Sequence, residues 1–174
     1  VMEYCTGGSL FEACREPDFE DGQRLSCMVQ VAAGMDHIHR MGVLHRDLKA
    51  DNVLVTEPIQ PGVTPVTKLC DFGLGKQLDG KSMTKTPLLP SWFLPGAWHA
   101  PELEENAQHG PAADVYSFGA LMSDLILGVD NWVDSWPPDV LRYYMAHHHE
   151  ARALPLAHVQ QQCLSVAARD RPGM

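Results

Sequence analysis

Two short stretches carry residues able to do chemistry. His45-Arg46-Asp47-Leu48-Lys49-Ala50-Asp51-Asn52 sets a carboxylate, an ammonium and an amide in one loop, and Asp71-Phe72-Gly73 adds a second carboxylate. Asp47 can accept or orient a hydroxyl proton, and Lys49 can neutralise an anion in the same pocket. An amide oxygen (Asn52) and a carboxylate (Asp71) suit Mg²⁺, which favours few protein oxygens plus phosphates. The set fits phosphoryl transfer, where positioning and charge neutralisation matter more than covalent help. Any one of these residues alone would read as a solvated loop residue. At about 5% usage per residue type, the six specified positions would arise by chance roughly once in 10⁷–10⁸ starts, so the combination is specific.

The surrounding pattern names the elements that must hold these residues. Val1 to Cys5 reads as the end of a strand broken by Gly7-Gly8, and Ser9 with Glu12 has the spacing of a reciprocal helix cap. From about Asp21 to Met41, Leu25, Met28, Ala32, Met35 and Ile38 recur every three or four residues, predicting a helix stopped by Gly42. Strands are predicted at Val53–Val55 and Val66–Cys70, joined by a proline-bearing loop that cannot supply a third strand. Residues 74–99 carry Pro87, Pro90 and Pro95 without periodicity and read as a long loop. Asp114 to Leu127 is apolar nearly all round, as in a helix at the middle of a core. Gly128 ends that helix, Pro137-Pro138 begin another helical stretch, and Leu156 to Leu164 suggest a last one. No internal repeat is visible.

The chain has 174 residues, enough for one domain or part of one. It opens at Val1 in an apolar run, which reads as a piece of a longer protein or a partial gene model. A net charge of −9 argues against a nucleic-acid surface, which needs a clustered basic face. Five scattered cysteines without a Cys-x-x-Cys pair fit a reducing compartment, hence an intracellular, cytoplasmic setting. No signal peptide is visible, and Val115–Val129, interrupted by Asp124, is too short to span a bilayer. No membrane segment is expected within these 174 residues, and a flanking one stays open.

The two chemical stretches resemble the catalytic and metal-binding loops of the eukaryotic protein kinases, and the resemblance runs over essentially the whole chain. It implies an α+β, mainly α fold, the large C-terminal lobe with a small β-hairpin and without the N-lobe. Residues 1–6 would be the end of the N-lobe and the hinge, and 7–174 the C-lobe. Within it lie a catalytic loop at 45–52, a metal-binding loop at 71–73 and an activation segment at 71–102. It implies ATP and Mg²⁺ as cofactors, and a protein substrate and the missing N-lobe as partners. Asp47, Lys49 and Asn52 match the catalytic residues, and Asn52 and Asp71 the metal ligands, with Gly73 allowing a sharp turn. Met2 matches the gatekeeper, the backbones of Glu3 and Cys5 the adenine hinge, and Leu54 the pocket floor. Cys70 lines that pocket, either as a packed apolar residue or as a reactive thiol. Arg46 resembles the partner of a phosphorylated activation segment, with Ser91 the first candidate ahead of Thr86, Thr84 and Ser82. Glu102, in Ala100-Pro101-Glu102, and Arg171 match a long-range ion pair. Asp114 matches the aspartate that accepts backbone N–H bonds from the catalytic loop, or is an ordinary N-cap. Lys49 favours the serine/threonine type, and Trp98 with Asp114-Val115-Tyr116-Ser117-Phe118-Gly119 resembles the tyrosine-kinase-like branch.

The sequence also departs from the family. Most serine/threonine kinases carry a threonine where Pro95 stands, and an apolar residue where His99 stands. The 174 residues hold no glycine-rich phosphate loop or strand lysine of the family's kind, so on their own they are expected neither to bind ATP well nor to transfer phosphate. A pseudokinase or scaffold acting by protein binding is the alternative, and a small-molecule phosphotransferase of kinase-like fold a third reading. His147-His148-His149 fits a solvated helix face better than a metal site, because adjacent helical residues point about 100° apart. His37 and His39 read as packed or surface histidines.

Overall fold

The computed structural model describes residues 3–78, 80, 83–85, 98–104, 108–127 and 157–173. Its first helix, α1 (Leu10–Ala13), is one turn held by the predicted reciprocal cap. Glu12 N donates to Ser9 Oγ at 3.2 Å, and Ser9 N donates to Glu12 Oε2 at 2.8 Å. Glu3 to Cys5, expected with Val1 and Met2 as a strand end, is irregular.

Helix α2 spans Asp21–Arg40, and Gly42 follows with φ +72°, the left-handed stop that the sequence led us to expect. Its buried side differs from the expected stripe. Gln23, Arg24, Cys27, Met28, Val31 and Met35 are buried, whereas Leu25, Ala32 and Ile38 are half-buried. Two polar residues cause this rotation. Arg24 donates to the carbonyls of Phe19 and Leu125, both at 3.1 Å, so its charge is satisfied inside. Gln23 Nε2 donates to the Gln60 and Val63 carbonyls at 2.8 and 2.6 Å, closing the proline-bearing loop onto the helix. Apolar periodicity cannot register polar side chains buried with partners.

The predicted hairpin is present. Strand β1 (Val43–Leu44) is followed by β2 (Val53–Val55) and β3 (Thr67–Leu69), and β2 and β3 pair antiparallel with Val53 opposite Leu69. The expectation of one hairpin and a structureless 74–99 is corrected in two places. Strand β4 (Lys76–Gln77) pairs with β1, and β5 (Thr84–Lys85) pairs with β6 (Gln108–His109). Two-residue strands are made by a distant partner rather than by local preference, so no local pattern announces them.

Short helix α3 (Pro101–Glu104) precedes α4 (Pro111–Leu127), and α5 (Ala157–Cys163) follows. Helix α4 starts three residues before the expected Asp114, with Pro111 at its first position, where a missing N–H costs nothing. Every residue from Ala113 to Ile126 is buried, as its all-round apolarity requires. The core gathers α1, α2, β2 and α4, with Leu10, Met28, Leu48, Val53, Leu121 and Leu125 within it. All five cysteines are free. Burial pushes the thiols of Cys14 and Cys27 up to about 12 and that of Cys163 to about 11, so these three are inert packing groups. Among the described residues no helix is long and apolar enough to cross a membrane. Pro137-Pro138, Gly128 and the three adjacent histidines lie outside the described residues.

Candidate active site

The loop that carries Asp47 hangs from the central helix. Asp114, in the first turn of α4 and 1% exposed, accepts His45 N on Oδ2 at 2.9 Å and Arg46 N on Oδ1 at 2.7 Å. It sits inside the helix and is not the N-cap. His39 Nε2, from the last turn of α2, lies 2.8 Å from the same Oδ2. Three donors from two elements therefore converge on one buried carboxylate. Arg46 has φ +67°, a region costly for a side-chain-bearing residue, and the Asp114 bond to its N–H offsets that strain. Its Nε donates to Leu74 O at 2.6 Å, and burial draws its guanidinium down from the ordinary value while Asp114 opposes the shift.

With the loop fixed, Asp47 is clamped. Asn52 Nδ2 donates to Asp47 O at 2.7 Å and to Asp47 Oδ2 at 2.8 Å. Lys49 Nζ stands 3.5 Å from the same Oδ2. A short 3₁₀ turn, Ala50–Asn52, brings the amide round, closed by Asn52 N donating to Lys49 O at 3.0 Å. On the other face of Asp47, His99 Nε2 lies 3.7 Å from Oδ1.

Two bonds tie Asp71 to this loop through the residue before it. Cys70 N donates to Asn52 O at 3.0 Å, and His45 Nε2 donates to Cys70 O at 3.0 Å. A carbonyl can only accept, so His45 carries its proton on Nε2 and leaves Nδ1 to face Asp47 N at 3.4 Å. The His45 ring also packs on Phe72, with centroids 4.8 Å apart. The sharp turn expected at Gly73 is made instead by Asp71, whose φ is +56°. Gly73 N donates to Asp71 Oδ1 at 3.2 Å, which holds the carboxylate over the turn, exposed to solvent.

Both nitrogen-borne bonds of the Asn52 amide point at Asp47, so its oxygen is the atom left for a cation. Asp71 supplies a carboxylate, and the pair is an oxygen-only donor set suited to Mg²⁺ completed by phosphate oxygens. Among the described residues no group of three or more His, Cys, Asp or Glu could hold a metal without such help.

Glu102 of α3 and Arg171 meet as a bidentate pair, Nη1 to Oε1 at 2.6 Å and Nη2 to Oε2 at 2.9 Å. Arg171 also donates to the carbonyls of Ser165, Ala112 and Val166, and its side chain is fully buried. Glu3 pairs with Lys68 across exposed surface, a contact of little energetic weight. Leu54 is half-buried and faces Lys68 in the hairpin; Cys5 is half-buried. Burial, then Asp71 and Cys5, push the Cys70 thiol up, which favours the packed over the reactive alternative. Thr84 lies in β5 opposite His109. Met2, Ser82, Thr86, Ser91 and Pro95 lie outside the described residues.

The sequence reading missed three contributors. His39 is a ligand of Asp114 rather than a bystander, and His99 faces Asp47. The third is Asp124, a wholly buried carboxyl on α4 that accepts Trp98 Nε1 at 3.0 Å. A histidine's contacts depend on elements far away in sequence; the signals that could have been followed were Asp124, an acid within an otherwise apolar helix, and His99, which stands where the family carries an apolar residue.

The family described as "Protein kinase domain" matches residues 1–171. The chain is 32% identical to the serine/threonine-protein kinase pak-1 of Caenorhabditis elegans, over 79% of this chain and 22% of that protein. It is 29% identical to the serine/threonine-protein kinase STE20 of Saccharomyces cerevisiae, over 79% of this chain and 14% of that protein. It is 37% identical to mitogen-activated protein kinase kinase kinase 13-A of Xenopus laevis, over 74% of this chain and 12% of that protein. The chain thus spans between 12% and 22% of the length of these relatives.

Proposed function

Since this chain belongs to the protein kinase domain family, we propose that it is the catalytic-loop-bearing lobe of a serine/threonine kinase that moves the γ-phosphoryl group of ATP onto protein hydroxyls. The observation that carries this reading is the convergence at Asp47. Its Oδ2 is occupied by Asn52 Nδ2 and by the Lys49 ammonium, which leaves Oδ1 as the oxygen able to take a proton.

In the proposed reaction the substrate hydroxyl oxygen forms a bond to the γ-phosphorus, and the bond from that phosphorus to the bridging oxygen breaks. Asp47 Oδ1 receives the hydroxyl proton, and ADP leaves with the bonding pair. Lys49, 3.5 Å from Asp47, neutralises charge on the transferring oxygens. Bound Mg²⁺ would neutralise the phosphates, and Asn52 and Asp71 are the residues that would hold it. Glu3, Cys5, Leu54 and Cys70 are proposed to flank the nucleotide base, with Met2 beside them. Arg46 and Ser91 remain a proposed regulatory pair, and a protein substrate, an intracellular setting and an N-lobe partner belong to the same reading. So do the lobe boundary near residue 7 and the tyrosine-kinase-like branch.

The non-catalytic, partner-binding alternative is favoured by Pro95, which has neither hydroxyl nor N–H, at the position where the family resemblance leads one to expect a threonine. One experiment separates the two. The protein, expressed with its natural upstream residues, is incubated with Mg²⁺, γ-labelled ATP and casein, and the casein is hydrolysed to amino acids. Labelled phosphoserine or phosphothreonine is the expected product. No label above the protein-free control would leave the scaffold reading standing.

A further inference from the structure

We propose that His99 is a positioning residue that fixes the Asp47 carboxylate in its working orientation, an inference that rests on Asp47 being the proton acceptor. Its Nε2 lies 3.7 Å from Asp47 Oδ1, with the His99 side chain 8% and the Asp47 side chain 13% exposed. The two carboxylate oxygens are thus addressed from different parts of the chain. Oδ2 is held from within its own loop by Asn52 and Lys49, and Oδ1 is faced by a residue just ahead of α3.

That division matters because the terminal torsion of an aspartate is soft. A carboxylate gripped at one oxygen can still turn about its Cβ–Cγ bond and swing the other oxygen away from a hydroxyl. A contact on Oδ1 removes that freedom. A neutral imidazole donates through Nε2–H and leaves a lone pair on Oδ1, so it orients the base without neutralising it. The separation exceeds a hydrogen bond, and contacts of this kind commonly tighten when substrate closes the site.

The backbone that carries His99 is held on both sides. Ser117 Oγ donates to Trp98 O at 2.6 Å, and Trp98 Nε1 donates to Asp124, both from the buried helix α4. On the other side Ala100 is fully buried and Glu102 is locked to Arg171. The imidazole is therefore placed by the same helix that, through Asp114, places Asp47.

The test uses the protein with its natural upstream residues, Mg-ATP and casein. His99→Leu fills the space without a donor, His99→Gln puts an amide nitrogen near the place of Nε2, and His99→Asn puts one near that of Nδ1. His99→Leu is expected to lower kcat by about 10- to 100-fold with KM for ATP unchanged within about twofold. His99→Gln is expected to recover most of that loss, and His99→Asn little of it. A leucine variant with kcat unchanged within about twofold, or a glutamine variant as slow as the leucine one, overturns the proposal. A second readout needs no activity. In nitrogen-15 spectra of histidine-labelled protein, the His99 Nε2 signal, identified by its loss in His99→Gln, is expected to move in Asp47→Asn; an unmoved signal overturns the contact. Absence of transfer by the wild-type protein would instead remove the proposed activity, and the spectra would still decide the contact.

Discussion

A single carboxylate, Asp114, accepts two successive backbone N–H groups and a histidine, and so converts the rigidity of a buried helix into the shape of the loop that carries Asp47. Arg171 does similar work at the far end of the fold, satisfying all of its donors on Glu102 and three carbonyls. Removing it leaves Glu102 facing the protein interior with no counter-charge. Arg171→Ala is therefore expected to lower unfolding free energy by about 3–5 kcal/mol. Urea titration followed by far-ultraviolet circular dichroism measures this, and a loss no larger than that of an ordinary surface substitution would show the pair to be energetically idle.

Asp124 calls for a different experiment. Burial raises its folded-state pKa well above the ordinary carboxylate range, while Trp98 partly opposes the shift. The folded state then keeps its proton at pH values where the unfolded chain has lost it. Unfolding releases that proton, so stability falls as pH rises from the unfolded value toward the folded one. Asp124→Asn keeps an oxygen for Trp98 and has nothing to ionise. The variant is expected to gain stability relative to wild type as pH rises above the ordinary carboxylate range. Parallel melting curves over that rise would refute the buried-acid reading.

At the scale of elements, α4 organises everything else, and its packing against α5 is close enough to forbid a side chain. A Cβ at Gly119 would stand 2.7 Å from Cys163 Cβ. Gly119→Ala is expected to cost about 1–3 kcal/mol through overpacking, despite alanine's better helix propensity. Calorimetry on Gly119→Ala in the wild-type and in a Cys163→Gly background would separate the effects, since with the opposing Cβ removed the added methyl should cost less. The main elements were legible in the sequence because their signals are local: the Ser9–Glu12 cap, Gly42, the β2–β3 hairpin and the all-round apolarity of α4. The buried stripe of α2 was displaced because Arg24 and Gln23 find carbonyl partners far along the chain. The two-residue strands β4 and β5 were missed for the same reason. In the candidate site, residue types and spacing singled out Asp47, Lys49 and Asn52, which lie within contact of one another, and Asp71, whose neighbour Cys70 is bonded to Asn52. The roles of His39 and His99 arise only when α2 and the segment before α3 are brought beside the loop.

At the scale of the whole molecule, the candidate site sits at the junction of two hairpin-linked loops, the first of them hung from one buried helix. Arg46 and Asp71 carry positive φ there, the two such non-glycine residues among those described, so backbone strain is stored at the site itself. In the proposed function Asp47 is the group that takes the substrate's proton, with Asn52 and Lys49 presetting its orientation. The direct measurement is the single-turnover rate of phosphate transfer to casein by the protein carrying its natural upstream residues, compared with its Asp47→Asn variant. A fall of about 10²- to 10⁴-fold with nucleotide affinity preserved is the predicted result. A variant that transfers phosphate as fast as wild type would contradict the account.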